Sequence, residues 1–384
     1  MPSADKLSAI PSTSVASNEP IAAASEARAV EKLTNEAIFL SLEDDAKRAM
    51  QLALAARERA KALGDRALLL RTLNVCSRCN FVQNKNLIAM ASAIDALELA
   101  AELGDRRELA HALCSVTGIA FTMQLSLLTM PLVERAVRIA VDLGDRDLEA
   151  RSRRLYAERL ADLGRKDECA RQFELAIDAV RSLDMPGFAL RVELRYAIFN
   201  IGLVEAASAD RIVEVEMPAV LELDRMNTNS IRPAALQSLQ GNVAHLRSRV
   251  LALRGDLPQA DAIALEGLSH CLKHNSLGMV PPLSLHRAVL QLKLGNPGGA
   301  RETLALGLDA AQSMRPHHWI AHFCRQLERL EAGAGKTEAS TFWLEQASKE
   351  EAEFAAEQAQ FRAVLEPLVV RQFPESGVNS LSAR

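Results

Sequence analysis

Aromatic residues are scarce in this chain, at 4% of 384 residues with two tryptophans and two tyrosines. A core with so few rings has to close through small and aliphatic side chains, which suits helices that approach one another closely. Long apolar runs are missing too: none reaches the roughly 18 residues of a membrane span, so no membrane association is expected. No stretch alternates apolar and polar residues for long, which argues against a sheet. Charge of one sign is also lacking, with 45 Lys and Arg against 49 Asp and Glu and a net charge of −4. A general nucleic-acid binder needs a basic surface, so no nucleic-acid partner is expected. Of the basic residues 35 are arginine and only 10 lysine, which hints at a GC-rich bacterial genome and says nothing of the fold. Six cysteines follow no disulfide spacing, so reduced thiols in a cytoplasmic protein are expected. Residues 1–20 (MPSADKLSAIPSTSVASNEP) lack the basic-then-apolar order of a secretory signal. Their composition predicts a disordered tail over 1–25, and 373–384 reads as a second one.

What the chain does have is a repeat. Leu63-Gly64-Asp65-Arg66 returns as Leu103-Gly104-Asp105-Arg106 and Leu143-Gly144-Asp145-Arg146, 40 residues apart each time. Decayed copies follow in register at Leu183-Asp184 and Leu223-Asp224. The motif reads as a helix stop followed by a helix start. Leucine closes a buried face, glycine takes the left-handed conformation, and aspartate caps the free N–H groups of the next helix. Glu108, three residues after Asp105, offers a capping box. This capping logic leaves little for a catalytic Asp–Arg pair to explain. Gly164, Gly255, Gly295 and Gly335 mark a second turn in each period. After the turns come residues spaced four and three apart, such as Ala89, Ala93 and Ala96, then Thr129, Val133 and Ala136. Cys169, Phe173 and Ala176 continue the set, as do Ala260, Ala264 and Gly267, Ala300, Leu304 and Gly307, and Ser340, Leu344 and Ala347. That spacing lines one helix stripe, where small side chains let paired helices close.

These features resemble the tetratricopeptide family. Its second helix carries the small–bulky–small pattern that Cys169, Phe173 and Ala176 match, and Asn74-Val75-Cys76 with Cys79 looks like a substituted first-helix core. The resemblance implies an all-α, right-handed α-solenoid of about eight antiparallel helix pairs over roughly 26–350. It divides into sub-arrays at 26–225 and 226–347, because the register slips at Met226–Pro233 before a long helix to Arg254. More narrowly, the Leu-Gly-Asp-Arg spacing is similar to the sensor repeats of bacterial diguanylate cyclases and of the maltose-regulon activator. The cyclase output motif is absent, since Gly298-Gly299 continues as Ala-Arg-Glu.

Few residues suggest chemistry. Gly333-Ala-Gly-Lys-Thr337 is similar to a phosphate-binding loop, but Leu330 stands where the first glycine should be and the preceding segment reads as helix. Cys76 and Cys79 form a lone Cys-x2-Cys on core positions of a helix, where cysteine acts as a small hydrophobe. His270 with His274, and His318 with His322, each share a helix face and form the best metal candidates. One whole repeat separates the two pairs, and edge histidines are the plainer reading. No catalytic set and no cofactor are expected. The last helix, from Thr337, runs past the repeat length, so 348–372 forms a capping or docking extension. Its face of Phe354, Phe361, Leu365 and Leu368 could fold back over the last repeat or make a homodimer seam.

These readings converge on a non-catalytic protein–protein interaction or sensor module of bacterial signal transduction, with a peptide or partner domain on a concave face. Asn80, Thr117, Arg153, Glu193 and Asn200 are the partner-binding candidates on that face. The alternatives are a stand-alone regulatory half of a cyclase-type system and a metal-responsive regulator using the His-rich repeats.

Overall fold

The computed structural model describes residues 19–42, 46–83, 85–183, the positions 189, 192, 193, 195 and 196, and 233–372. The decayed repeat at Leu223, the polar turn before Pro233 and most of both expected tails lie outside the described residues. Helices fill the rest, and no strand occurs among the described residues. In chain order they are α1 (Glu19–Leu42), α2 (Ala46–Leu63), α3 (Arg66–Val82), α4 (Asn86–Leu103), α5 (Arg106–Thr122), α6 (Ser126–Leu143), α7 (Arg146–Asp162) and α8 (Lys166–Arg181). After the undescribed stretch come α9 (Pro233–Leu253), α10 (Leu257–Lys273), α11 (Val280–Lys293), α12 (Pro297–Met314), α13 (His317–Gly333) and α14 (Thr337–Gln372). Residues 19–25, assigned from composition to a tail, belong to α1; their three alanines are good helix formers.

The helices pair antiparallel through the turns the repeat predicts. Gly64, Gly104 and Gly144 close one kind of turn at φ of +67°, +69° and +64°. Gly164, Gly255, Gly295 and Gly335 close the other at +70° to +85°. Asp65, Asp105 and Asp145 each accept the backbone N–H three residues on at 3.0 Å. The capping box is only half made. Glu108 gives its N–H to Asp105, but its carboxylate accepts from Asn74 Nδ2 at 2.7 Å and so ties α5 to α3. The arginine of the motif has its own place. Arg66 meets Glu102, Arg106 meets Asp142 at 2.7 Å, and Arg146 meets the Ser182 hydroxyl at 3.3 Å. Each tie joins the start of a first helix to the end of its partner.

Helices α1, α3, α5 and α7 pack on one another as well as on their partners, and α9 likewise reaches α11. On each side of the undescribed stretch these helices form a first layer, with the even-numbered helices as a second. The small-residue stripe lies between the layers: Ala49, Ala89, Ala93, Ala96, Val133, Phe173, Ala260 and Ala300 are all buried. Leu344 departs from the pattern at 42% exposed.

The second half of α14 does something the repeat does not require. It leaves the last pair and packs on α6 of the first sub-array. Phe361, Leu365, Leu368 and Val369 are fully buried in the core built by α3 to α7. Gln358 donates to the Met123 carbonyl at 2.8 Å, and Arg371 pairs with Glu98 at 3.1 Å. The face expected to cap the last repeat or to dimerise is therefore spent within the chain on a distant repeat.

Two stability tests follow. Gly104 and Gly333 both have open space around a would-be Cβ, but only Gly104 sits at positive φ. Gly104→Ala is expected to cost about 1 kcal/mol net, while Gly333→Ala should be neutral or stabilising by up to about 1 kcal/mol; urea unfolding of both would show the contrast. Leu365→Ala removes a fully buried side chain from the clasp, a loss of about 2–5 kcal/mol. Hydrogen exchange should then rise in 358–372 and at the start of α6 and stay unchanged in α9 to α13. Unchanged exchange in 358–372 would refute the clasp.

Candidate functional site

Between α11 and α13, over the first turns of α12, lies a cavity of about 730 Å³. That volume is typical of sites for small ligands. One wall is aliphatic, built from Leu285, Val289 and Leu292 of α11 with Leu304 and Leu330. Val289 and Leu292 keep 47% and 45% of their surface exposed. The other wall is polar: Arg301, His322, Gln326, Arg329 and Lys336.

Local sequence explains the placement. Asn296 caps α12 by accepting the Gly299 N–H at 2.9 Å, which sets Arg301 one turn inside the helix. Gly335 turns the chain so that Lys336 comes back beside the end of α13. Glu331, with 1% of its side chain exposed, is the ion-pair partner of both Arg301 and Lys336, the latter at 3.6 Å. Arg329 has no ion-pair partner among the described residues. Burial and then the Arg329 charge hold His322 below the usual histidine range, so its ring is neutral near pH 7. It lies 3.4 Å from the Gln326 amide nitrogen. Three cations thus line the cavity while one carboxylate pairs with two of them, and the N-terminal end of α12, with Pro297 and Gly298 at the cavity, adds its own positive potential.

The structure does not gather the partner-binding candidates into one surface. Asn80 and Thr117 are buried. Thr117 donates to the Leu113 carbonyl, and its own carbonyl accepts from Arg159 at 2.9 Å. Arg153 is engaged by Glu149 and Gln172, and Glu193 by Arg181 at 2.9 Å. Asn200 lies outside the described residues. A first-layer helix is flanked by neighbours on both sides, so a polar residue there faces another helix as often as water. The histidine candidates also separate. His270 and His274 pack ring on ring at 4.5 Å, and His318 lies against Trp319 and Phe354. Only His322 reaches the cavity, and no group of three metal-ligating side chains comes together among the described residues.

Sequence reading missed Arg159, fully buried between α5 and α7. Its guanidinium lies 3.8 Å from the centre of the Phe121 ring. Burial lowers its pKa to about 10, still charged near neutrality. It pins successive first-layer helices together. Its signal in the sequence was weak, a single arginine among 35.

With this geometry in hand, the chain has the fold of the tetratricopeptide-like helical-repeat proteins. No protein-family model and no curated protein sequence matches it. Among solved structures it is similar to a Rap protein complexed with Competence and Sporulation Factor, at 14% identity and a TM-score of 0.55 over 86% of this chain and 99% of that one. The Rap conjugation regulator of plasmid pLS20 in complex with the Phr* peptide gives 11% identity and 0.56 over 85% and 96%. NprR in complex with its cognate peptide NprX gives 12% and 0.55 over 91% and 98%. At these identities the likeness is one of fold.

The Cys-x2-Cys carries no redox geometry, because both thiols are buried in the core of the first repeats. Burial pushes Cys76, Cys79, Cys271 and Cys324 up to about 11, and Cys114 and Cys169 up to about 12. At pH 8 no more than about one thiol in a thousand is thiolate at such values. A water-soluble disulfide reagent should therefore label none of the six quickly in the native chain and all six after unfolding. A rapidly reacting native thiol would show that this packing opens.

Proposed function

We propose that this chain is a non-catalytic regulatory module that binds a short extended peptide, or an extended segment of a partner protein, along its first layer of helices. The cavity between α11 and α13 carries the reading. It combines aliphatic side chains left exposed with a polar wall of positive excess, which is what an extended peptide requires and what a packed core would not leave. Helical arrays supply such surfaces because each pair adds a further strip to one continuous face. The Rap and NprR structures of the same fold, solved with the Competence and Sporulation Factor, the Phr* peptide and NprX, support a peptide as the ligand. The narrower alternatives, half of a cyclase system or a metal-responsive regulator, gain no support from these relatives or from the described residues.

Among the described residues no helix is long and apolar enough to cross a membrane. The test is to present degenerate pools of short peptides to the whole chain and follow backbone hydrogen exchange. A bound peptide at about 100 times its Kd stabilises its site by about 2.7 kcal/mol. Slowed exchange is expected in α11 and α13 around Val289 and Gln326. Slowing confined to α1 to α8 would move the site elsewhere, and no slowing with any pool would end the peptide reading.

A further inference from the structure

We infer that the cavity between α11 and α13 is a carboxylate-receiving subsite, which takes the anionic group of a peptide next to an aliphatic side chain seated on Leu285, Val289 and Leu292. The inference rests on the peptide-binding reading and adds the chemistry of the ligand to it.

Charge bookkeeping supports an anion. Arg301, Arg329 and Lys336 all line the cavity, and among the described residues Glu331 is the one carboxylate paired with any of them. Glu331 is held under the surface, so it cannot swing out to neutralise the others. Its effect is to fix Arg301 and Lys336 at the wall. Both keep much of their side chains exposed, at 40% and 57%. A guanidinium has five donors and an ammonium three, so donors remain after the pairing with Glu331. The start of α12 opens onto the same space. A Cβ at Gly298 would find only the Asn296 side chain, 3.8 Å away, so a ligand can come close to the backbone there. Pro297 has no N–H and Gly299 gives its own to Asn296, which leaves the Gly298 N–H at this helix start to favour a carboxylate.

The opposite wall decides between kinds of anion. A free inorganic ion would satisfy the cations and leave Val289 and Leu292 facing water. A wholly apolar ligand would bury the Arg329 charge without a partner, which is costly. A carboxylate beside an aliphatic side chain meets both walls together. In a peptide that carboxylate belongs either to the C-terminus or to an aspartate or glutamate side chain next to the aliphatic residue.

The experiment uses the full chain and three fluorescein-labelled degenerate pentapeptide pools ending in leucine, read by fluorescence anisotropy at low salt. The first pool ends as the free acid, the second as the amide, and the third as the amide with glutamate before the leucine. Either carboxylate-bearing pool should bind at least about tenfold tighter than the plain amide, the scale of a charge-assisted hydrogen bond. Tight binding of the first alone assigns the C-terminal carboxylate, and of the third as well the side chain. Arg329→Gln should abolish the preference while melting like the parent, and Arg138→Gln, remote from the cavity, should keep it. Equal binding of all three pools, or a preference untouched by Arg329→Gln, would overturn the subsite and leave peptide binding standing. Failure of every pool to bind would overturn both.

Discussion

The turn that closes each helix is the constraint on which the rest of the array depends. Among the described residues seven glycines take φ between +64° and +85° at the ends of helices, a region that costs any residue with a Cβ about 1–2 kcal/mol. The aspartate or asparagine after several of these glycines satisfies a free N–H of the next helix, worth about 1 kcal/mol each. Because the turns recur at a fixed distance, the same positions of every second-layer helix face the first layer. Small residues can then hold those positions throughout. Gly307 shows how tight the fit becomes: a Cβ there would lie 2.4 Å from the Phe323 ring. Gly267 is similar, with Ala244 at 2.5 Å. Glycine inside a helix costs about 1 kcal/mol of propensity, and here the close approach of the neighbouring helix offsets it.

An array built this way has an end, and its last helix would expose apolar surface. In this chain the last helix is extended instead of truncated. Its first half completes the final pair, and there Phe342 and Leu344 remain partly in water. Its second half buries Phe361, Leu365, Leu368 and Val369 against the first sub-array. One helix thus joins residues more than two hundred positions apart, as the bond from Gln358 to Met123 shows. A clasp of this kind adds a direct apolar contact between the two sub-arrays. Anything that strains their relative position therefore acts on that contact.

Most of the fold was legible because it is local. Turn glycines, caps and the small-residue stripe are set by neighbours within one repeat, and the 40-residue period displays them several times. The docking partner of α14 was not legible. The apolar face of Phe354, Phe361, Leu365 and Leu368 could be seen, but what covers it depends on how the whole array is arranged. The functional residues were harder for the same reason. Arg301, Arg329 and Lys336 come from three different segments, and neither arginine belongs to a motif. Lys336 did stand out in the sequence, in Gly-Ala-Gly-Lys-Thr, and that glycine proved to be an ordinary turn at φ +72°. Asn80 and Thr117, chosen as exposed, are buried because first-layer helices are covered on more sides than a single amphipathic helix suggests.

The cavity arises where the repeat keeps its backbone and changes its charges. Moving back 40 residues from Glu331, Arg329 and Lys336 gives Gln291, Val289 and Asn296. Gln291 is buried like Glu331, but it accepts a hydrogen bond from Thr303 at 2.8 Å and needs no cation. Arg301 corresponds to Asp261, which pairs with Arg287 at 3.0 Å and leaves that repeat balanced. In the last pair a buried carboxylate draws in two cations, as Glu149 does with Arg146 and Arg153, and there a third cation stands beside them without an ion-pair partner among the described residues. A buried charge that serves only the fold looks different. Arg159 gives its donors to the Thr117 carbonyl and lies over the Phe121 ring, directing nothing outward. The interior arginine turns its bonds inward, to the Thr117 carbonyl and Glu158, whereas the cations around Glu331 are positioned by the array and left with donors to spare. The excess lies at a cavity large enough for a ligand, and that separates a binding surface from one more helix contact.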